Sequence, residues 1–186
     1  MAYVGLARPV IALYKETAEG CRYTNGFRFG KAVKIEISPN YEDVSDYGDI
    51  NDTEEEQMFV DADITLGVSE IPTKAESAML GHEMAGNEVT SNASDRASPV
   101  GVGIRTREVV SGKVEYVAVW ICKAKFTEDG QNHETKGSTI EYTTPIIKGK
   151  AVPDRNGDWR KKKIFETSKE ADDWLDQMAG IEQEER

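Results

Sequence analysis

The sequence predicts a mainly β fold: an antiparallel sandwich or barrel with two short helices and one long acidic loop. Three observations carry the prediction. Apolar and polar residues alternate in several separate runs, which is the period of a strand with one buried face. The turn pairs Ser111-Gly112 and Asn156-Gly157 fall between such runs. There is neither an internal repeat nor the strand-helix-strand rhythm of a parallel sheet. The 186 residues read as one domain, 1–186, and a chain of that length buries roughly 70% of its unfolded-chain surface with no need of metal or disulfide.

Residues 1–29 are read as an N-terminal arm and first-strand region. From 31 to 37, Val33, Ile35 and Ile37 share one side and Lys34 and Glu36 the other, with Pro39 and Asn40 expected to stop the strand. Residues 38–57 are polar and acidic with little periodicity, and read as a long acidic loop, a length at which loops are functional or disordered. Alternation resumes with Met58, Val60, Ala62, Ile64 and Leu66 facing the core and Phe59, Asp61, Asp63 and Thr65 facing water. Thr73 and Glu76 have capping-box spacing behind Pro72, and Gly81 supplies a stop, so a short helix is expected over 72–81. Residues 86–99 read as turn or loop. Strands follow over 100–110 and 113–126, and the second has apolar residues on both faces in its middle, as a central strand does. After a polar loop at 127–137, Ile140, Tyr142, Thr144 and Ile146 make a strand interrupted at Pro145. Asn156-Gly157 signals a hairpin. The last element, 167–180, is a C-terminal helix with a Thr167/Glu170 capping box, an Ala171, Trp174, Leu175, Met178 stripe, and Gly180 as its stop.

Composition narrows the function. There are 34 Asp plus Glu against 23 Lys plus Arg, a net charge of -11, which disfavours a tight grip on nucleic acid, since that grip needs clustered cations. No run approaches the roughly 18 apolar residues of a membrane span, and no basic region leads into a long apolar stretch, so neither a membrane anchor nor an ordinary signal peptide is expected. The negative charge is concentrated. Twelve acids and no base lie between Lys34 and Lys74, and the rest of the chain is close to neutral.

No constellation predicts catalysis, metal or cofactor. His82 and His133 have no obvious partner, and His82-Glu83 lacks a second His at position 86, where Gly86 stands. Cys21 and Cys122 show no ligand spacing, and Cys122 sits in an apolar strand as a small core residue. The Asp49–Glu54 and Asp154–Asp158 stretches depart from the calcium-loop pattern. Gly101 and Gly103 lie inside a strand pattern, where close packing explains them better than a phosphate cradle. The triplets Asn51-Asp52-Thr53 and Asn92-Ala93-Ser94 match the glycosylation pattern by chance. The run Arg160, Lys161, Lys162, Lys163 after Trp159 is the compact basic feature; four consecutive bases suggest nucleic acid, and against a net charge of -11 an acidic protein surface fits them at least as well.

Several segments then fit one family: Met1-Ala2-Tyr3-Val4-Gly5-Leu6-Ala7-Arg8-Pro9-Val10, Gly30 to Ile37, Asp61 to Gly67, Val100 to Gly103, Lys123 to Phe126, Thr135 to Glu141 and Thr144-Pro145. In that order and spacing the chain resembles the major tail proteins, the tail-tube subunits, of long-tailed phages and prophages of Gram-positive bacteria. The resemblance covers nearly the whole chain and contains no catalytic motif. It implies a β-sandwich of the tail-tube type, made in the host cytoplasm and resident in the virion tail. There it would assemble as hexameric rings stacked into a conduit through which DNA passes without specific binding. Tape-measure, tail terminator and baseplate proteins are the implied partners. Some family members carry an extra immunoglobulin-like domain at the C-terminus, and none is expected here.

Two sets of residues are singled out for that role. Glu36, Asp61 and Asp63 are expected on the lumen wall, where they would repel phosphate. Glu42, Asp43, Asp46, Asp49, Asp52, Glu54, Glu55 and Glu56 are expected to meet Arg160, Lys161, Lys162 and Lys163 of a neighbouring subunit or ring. The alternative is a β-sandwich binding module for a carbohydrate or host surface, which needs a platform of exposed aromatics; Trp159 alone is expected to be free for that.

Overall fold

The computed structural model describes residues 2–18, 20–28, 30–45, 55–128, 130 and 145–181. Among these residues, ten strands and two helices occur in the order β1 (Ala2–Thr17), β2 (Gly20–Arg28), β3 (Ala32–Ser45), β4 (Glu55–Val68), α1 (Thr73–Leu80), β5 (Glu83–Ala85), β6 (Glu88–Thr90), β7 (Val100–Val110), β8 (Lys113–Glu128), β9 (Ile146–Ala151), β10 (Arg160–Phe165) and α2 (Ser168–Ala179). All pairings are antiparallel. The main sheet runs β2-β1-β7-β8-β9-β4-β3, and β10 also pairs with β8. The fold is a mainly β antiparallel sandwich, as the alternation predicts.

The layers follow from which faces are apolar. Ile11 on β1, Val100 and Val102 on β7, and Ile121, Ala124 and Phe126 on β8 pack against Ala62, Ile64 and Leu66 on β4, Ile147 and Ala151 on β9, and Met79 on α1. The other face of β1, β7 and β8 bears Val10, Ala12, Ala118, Trp120 and Cys122, covered by Ala171, Leu175 and Ala179 of α2. The middle of β8 is therefore buried on both sides, which is why its sequence is apolar throughout. Gly101 and Gly103 make room for the Trp120 ring: a Cβ on Gly103 would lie 2.8 Å from both that ring and Leu175. The expected close packing explains both glycines.

Residues 38–57 are not one loop. Pro39 and Asn40 do not stop β3, which runs to Ser45 and pairs with β4 as far as Ser45↔Glu55. β3 lies at the edge of the sheet, where a residue without an N–H costs no ladder bond. Residues 46–54 lie outside the described residues. Because β9 pairs only with Ala62 to Gly67 of β4, the distal parts of β3 and β4 continue alone as a two-stranded ribbon. A register shift at Asn40/Tyr41 flips the side chains beyond it. Met58 and Val60, expected in the core, are exposed, while Phe59, expected in water, packs on the core and stacks on Trp159 at 4.5 Å. A second shift at Ala32/Lys34 leaves Val33 exposed.

Other expectations change in detail. α1 forms where predicted, but Pro72 is its N-cap and no side chain caps it. α2 does have the predicted Thr167/Glu170 box and ends at Gly180 in the left-handed region. Within 86–99 the short β6 pairs with β5. The strand expected across Pro145 begins after it, at Ile146, and residues 140–144 lie outside the described residues. The Asn156-Gly157 turn does not join a hairpin. β9 and β10 lie end to end along the same side of β8, bracketing an excursion whose turn is held by Asp154 Oδ1 accepting from the Asn156 and Asp158 N–H groups at 2.8 and 3.0 Å. β8 is long enough to host both.

Candidate assembly surfaces

Glu36, Asp61 and Asp63 do share one face. Register places Glu36 opposite Thr65, Ser38 opposite Asp63 and Asn40 opposite Asp61, and paired residues in an antiparallel ladder point the same way. The acids are not bare, however. Asn40 Nδ2 donates to Asp61 at 2.7 Å and to Asp63 at 2.9 Å. Lys150 Nζ lies 2.7 Å from Asp61 and 3.6 Å from Asp63, and Lys34 pairs with Glu36 at 2.9 Å. The Asn40 bond, aided by Lys150, holds the Asp61 carboxyl below its ordinary range, and Asp61 in turn raises Lys150. Across the sheet the same face continues through Lys148 and Lys150 on β9 to Lys125 and Thr127 on β8. It is acidic on β3 and β4 and basic on β8 and β9, a division invisible before the register is known.

The second set is placed in part. Glu42 and Asp43 sit exposed on the ribbon, with Asp43 accepting from Gln57 at 3.2 Å. Glu55 and Glu56 have strand backbone opposite Ser45 and Val44, and Asp46, Asp49, Asp52 and Glu54 lie outside the described residues. The basic run is not a patch of four like charges on one side. As β10 it alternates: Lys161 and Lys163 share the α2 face with Trp120 and Ala118, whereas Arg160 and Lys162 share the opposite face with Ile121 and Val119. Each cation also has a local partner. Arg160 lies over the Trp159 ring and Lys163 over the Phe165 ring, at 4.5 and 5.1 Å, Lys161 is 3.4 Å from Asp158, and Lys162 is 3.6 Å from the buried Glu108.

Other residues take on different roles. Trp159, expected to be free, is half-buried between Phe59 and Arg160. His82 is buried and has partners after all: Glu76 Oε1 and Ser91 Oγ, both 3.3 Å from its Nδ1. Since both meet the same ring nitrogen, the group is not the Ser-His-acid relay, which needs one partner on each nitrogen. His133 lies outside the described residues. Cys122 is buried and Cys21 half-buried, both as free thiols. Among the described residues no group of His, Cys, Asp and Glu could hold a metal, and no helix is long and apolar enough to cross a membrane.

One cluster escaped the sequence reading. Asp176 of α2, 1% exposed, takes both Arg8 and Arg28 on one carboxylate, and Asp172, one turn earlier, takes Arg8 at 3.0 Å and Arg105 at 2.8 Å. Three strands, β1, β2 and β7, are thereby tied to one helix face. Arg8 reaches the helix from a bulge in β1 and has a left-handed φ of 57°, which is costly for a side chain of its size and is offset by its two carboxylates. The signals present in the sequence were Arg8-Pro9 inside a strand and two acids four residues apart.

Neither the family models nor the curated proteins that were searched contain a match to this chain.

Proposed function

We propose that this protein is a tail-tube subunit of a long-tailed phage or prophage. Copies of it would assemble as hexameric rings stacked into the conduit for DNA, in a structural rather than enzymatic role. The observation that carries the reading is the ordered series of segments from Met1–Val10 to Thr144-Pro145 that resembles the major tail proteins. A β-sandwich with a projecting acidic ribbon and a separate basic edge strand supports it, because unlike surfaces on one chain are what head-to-tail rings require. Glu36, Asp61 and Asp63 would line the lumen as a face that Lys34 and Lys150 partly neutralise, so DNA would be repelled weakly. The glycan-binding alternative loses support with Trp159 half-buried between Phe59 and Arg160.

The test is the mass of the purified protein together with electron micrographs. Rings or tubes with a central channel are the expected result. A monomer at every concentration and salt condition, binding glycans, would overturn the reading.

A further inference from the structure

Among the described residues β10 hydrogen-bonds only to β8, and β3 only to β4, so each has an open edge. The Cys122 N–H donates to the Trp159 carbonyl at 2.9 Å. Alternation of the ladder then turns the main-chain groups of 161, 163 and 165 towards β8 and those of 160, 162 and 164 outward. Beside this edge, β10 and α2 enclose an open groove of about 620 Å³ lined by Phe165, Trp174 and Ile181 and by Lys163, Glu170 and Asp173. A free strand edge next to a helix is the arrangement that accepts an added strand, the main chain giving affinity and the groove giving specificity. Lysines along an edge ordinarily keep it unpaired, and the four cations of β10, Arg160 to Lys163, are offset best by an acidic strand.

The distal part of β3 is such a strand. It is exposed, carries Glu42 and Asp43, and among the described residues has no ladder partner but β4. Tyr41 stands on it half exposed, edge-on to Phe59 at 5.9 Å, and an aromatic of that kind is a suitable anchor against Phe165 and Trp174 in a groove of mixed lining. We propose that the open edge of β10, with its groove against α2, receives the acidic edge of β3 from a second copy of this chain. This rests on the reading of the protein as a self-assembling subunit. The two edges are unlike, so the contact is head-to-tail and leaves a free β3 on one side and a free β10 on the other, which closes into a ring or extends as a filament.

The test uses two blocked variants of the full chain. Lys163→Glu with Ile164→Pro removes a groove cation and an outward N–H while sparing the ladder to β8. Glu42→Lys with Asp43→Lys reverses the other edge. Under conditions where the wild type assembles, each variant alone is expected to be monomeric, and their equimolar mixture to give a one-to-one dimer and nothing larger, because one good edge of each remains. Thermal melts and circular dichroism confirm that both are folded; if the proline variant is not, Lys163→Glu with Trp174→Ala replaces it. Folded variants that assemble like the wild type, or a mixture that stays monomeric, overturn this contact while leaving the tail-tube reading intact. A wild type that never assembles overturns both.

Discussion

The α2 side of the molecule and the polar face of β3, β4 and β9 at the foot of the ribbon use the same chemistry, carboxylates against cations, to different ends. Asp176 is buried beneath two guanidinium groups, whereas Asp63 and Lys150 face water on either side of a 3.6 Å pair. A buried carboxylate that loses its partners is left with an uncompensated charge, while a surface pair gains little because solvent already screens it. Burial, not the number of ion pairs, therefore decides which side is pinned and which remains available to another molecule.

The largest expected effect comes from breaking the pinned side. Asp176→Ala leaves Arg28 without its carboxylate and Arg8 with Asp172 alone, and should cost about 3 kcal/mol in a urea melt, the lower end for a broken buried pair; a loss too small to resolve would mean that Asp172 and the apolar contacts hold α2 without it. Next is Gly103→Val, which drives a side chain into Trp120 and Leu175 and should cost roughly 1–3 kcal/mol, or more if α2 lifts, with a changed near-ultraviolet signal from Trp120.

Alkaline pH probes the same buried layer. Burial pushes the Cys122 thiol up to about 11 and the Tyr14 phenol up to about 12. In the unfolded chain a thiol ionises near ~8.5 and a phenol near ~10. Above those values the unfolded state has released protons that the folded state still holds. Stability is thus whole below about pH 8.5 and falls as pH rises towards 12. Denaturation curves at stepped pH should show the fall, and a flat profile would argue against a dry layer under α2. The smallest effect belongs to the ribbon's base: Asp61→Asn with Asp63→Asn should leave the melting temperature unchanged within error, and a clear drop would place that cluster among the fold's supports.

How much of this could be read in advance depended on periodicity. The core of β8 and the cap and stripe of α2 were legible because local pattern and tertiary burial agree there. The course of 38–57 was not, because Pro39 and a run of acids signal a loop, and only the edge position of β3 makes a strand tolerable. The faces of Val33, Met58, Phe59 and Val60 were misplaced because one bulge inverts every side chain beyond it, and a bulge leaves no mark in alternation alone. Arg160 to Lys163 was legible as basic and not as a strand whose charges divide between two faces. The clamp on Asp176 joins residues 168 and 148 positions apart, a separation no local pattern spans.

Amide exchange measured on the free and the assembled protein tests the contrast between the two sides most directly. α2 and the middle of β8 are expected to be equally protected in both states. The distal strands of the ribbon and the amides of Lys162 and Ile164 on β10 should exchange fast in the monomer and slow markedly on assembly. Equal exchange at those edges in both states, or new protection confined to α2, would contradict it.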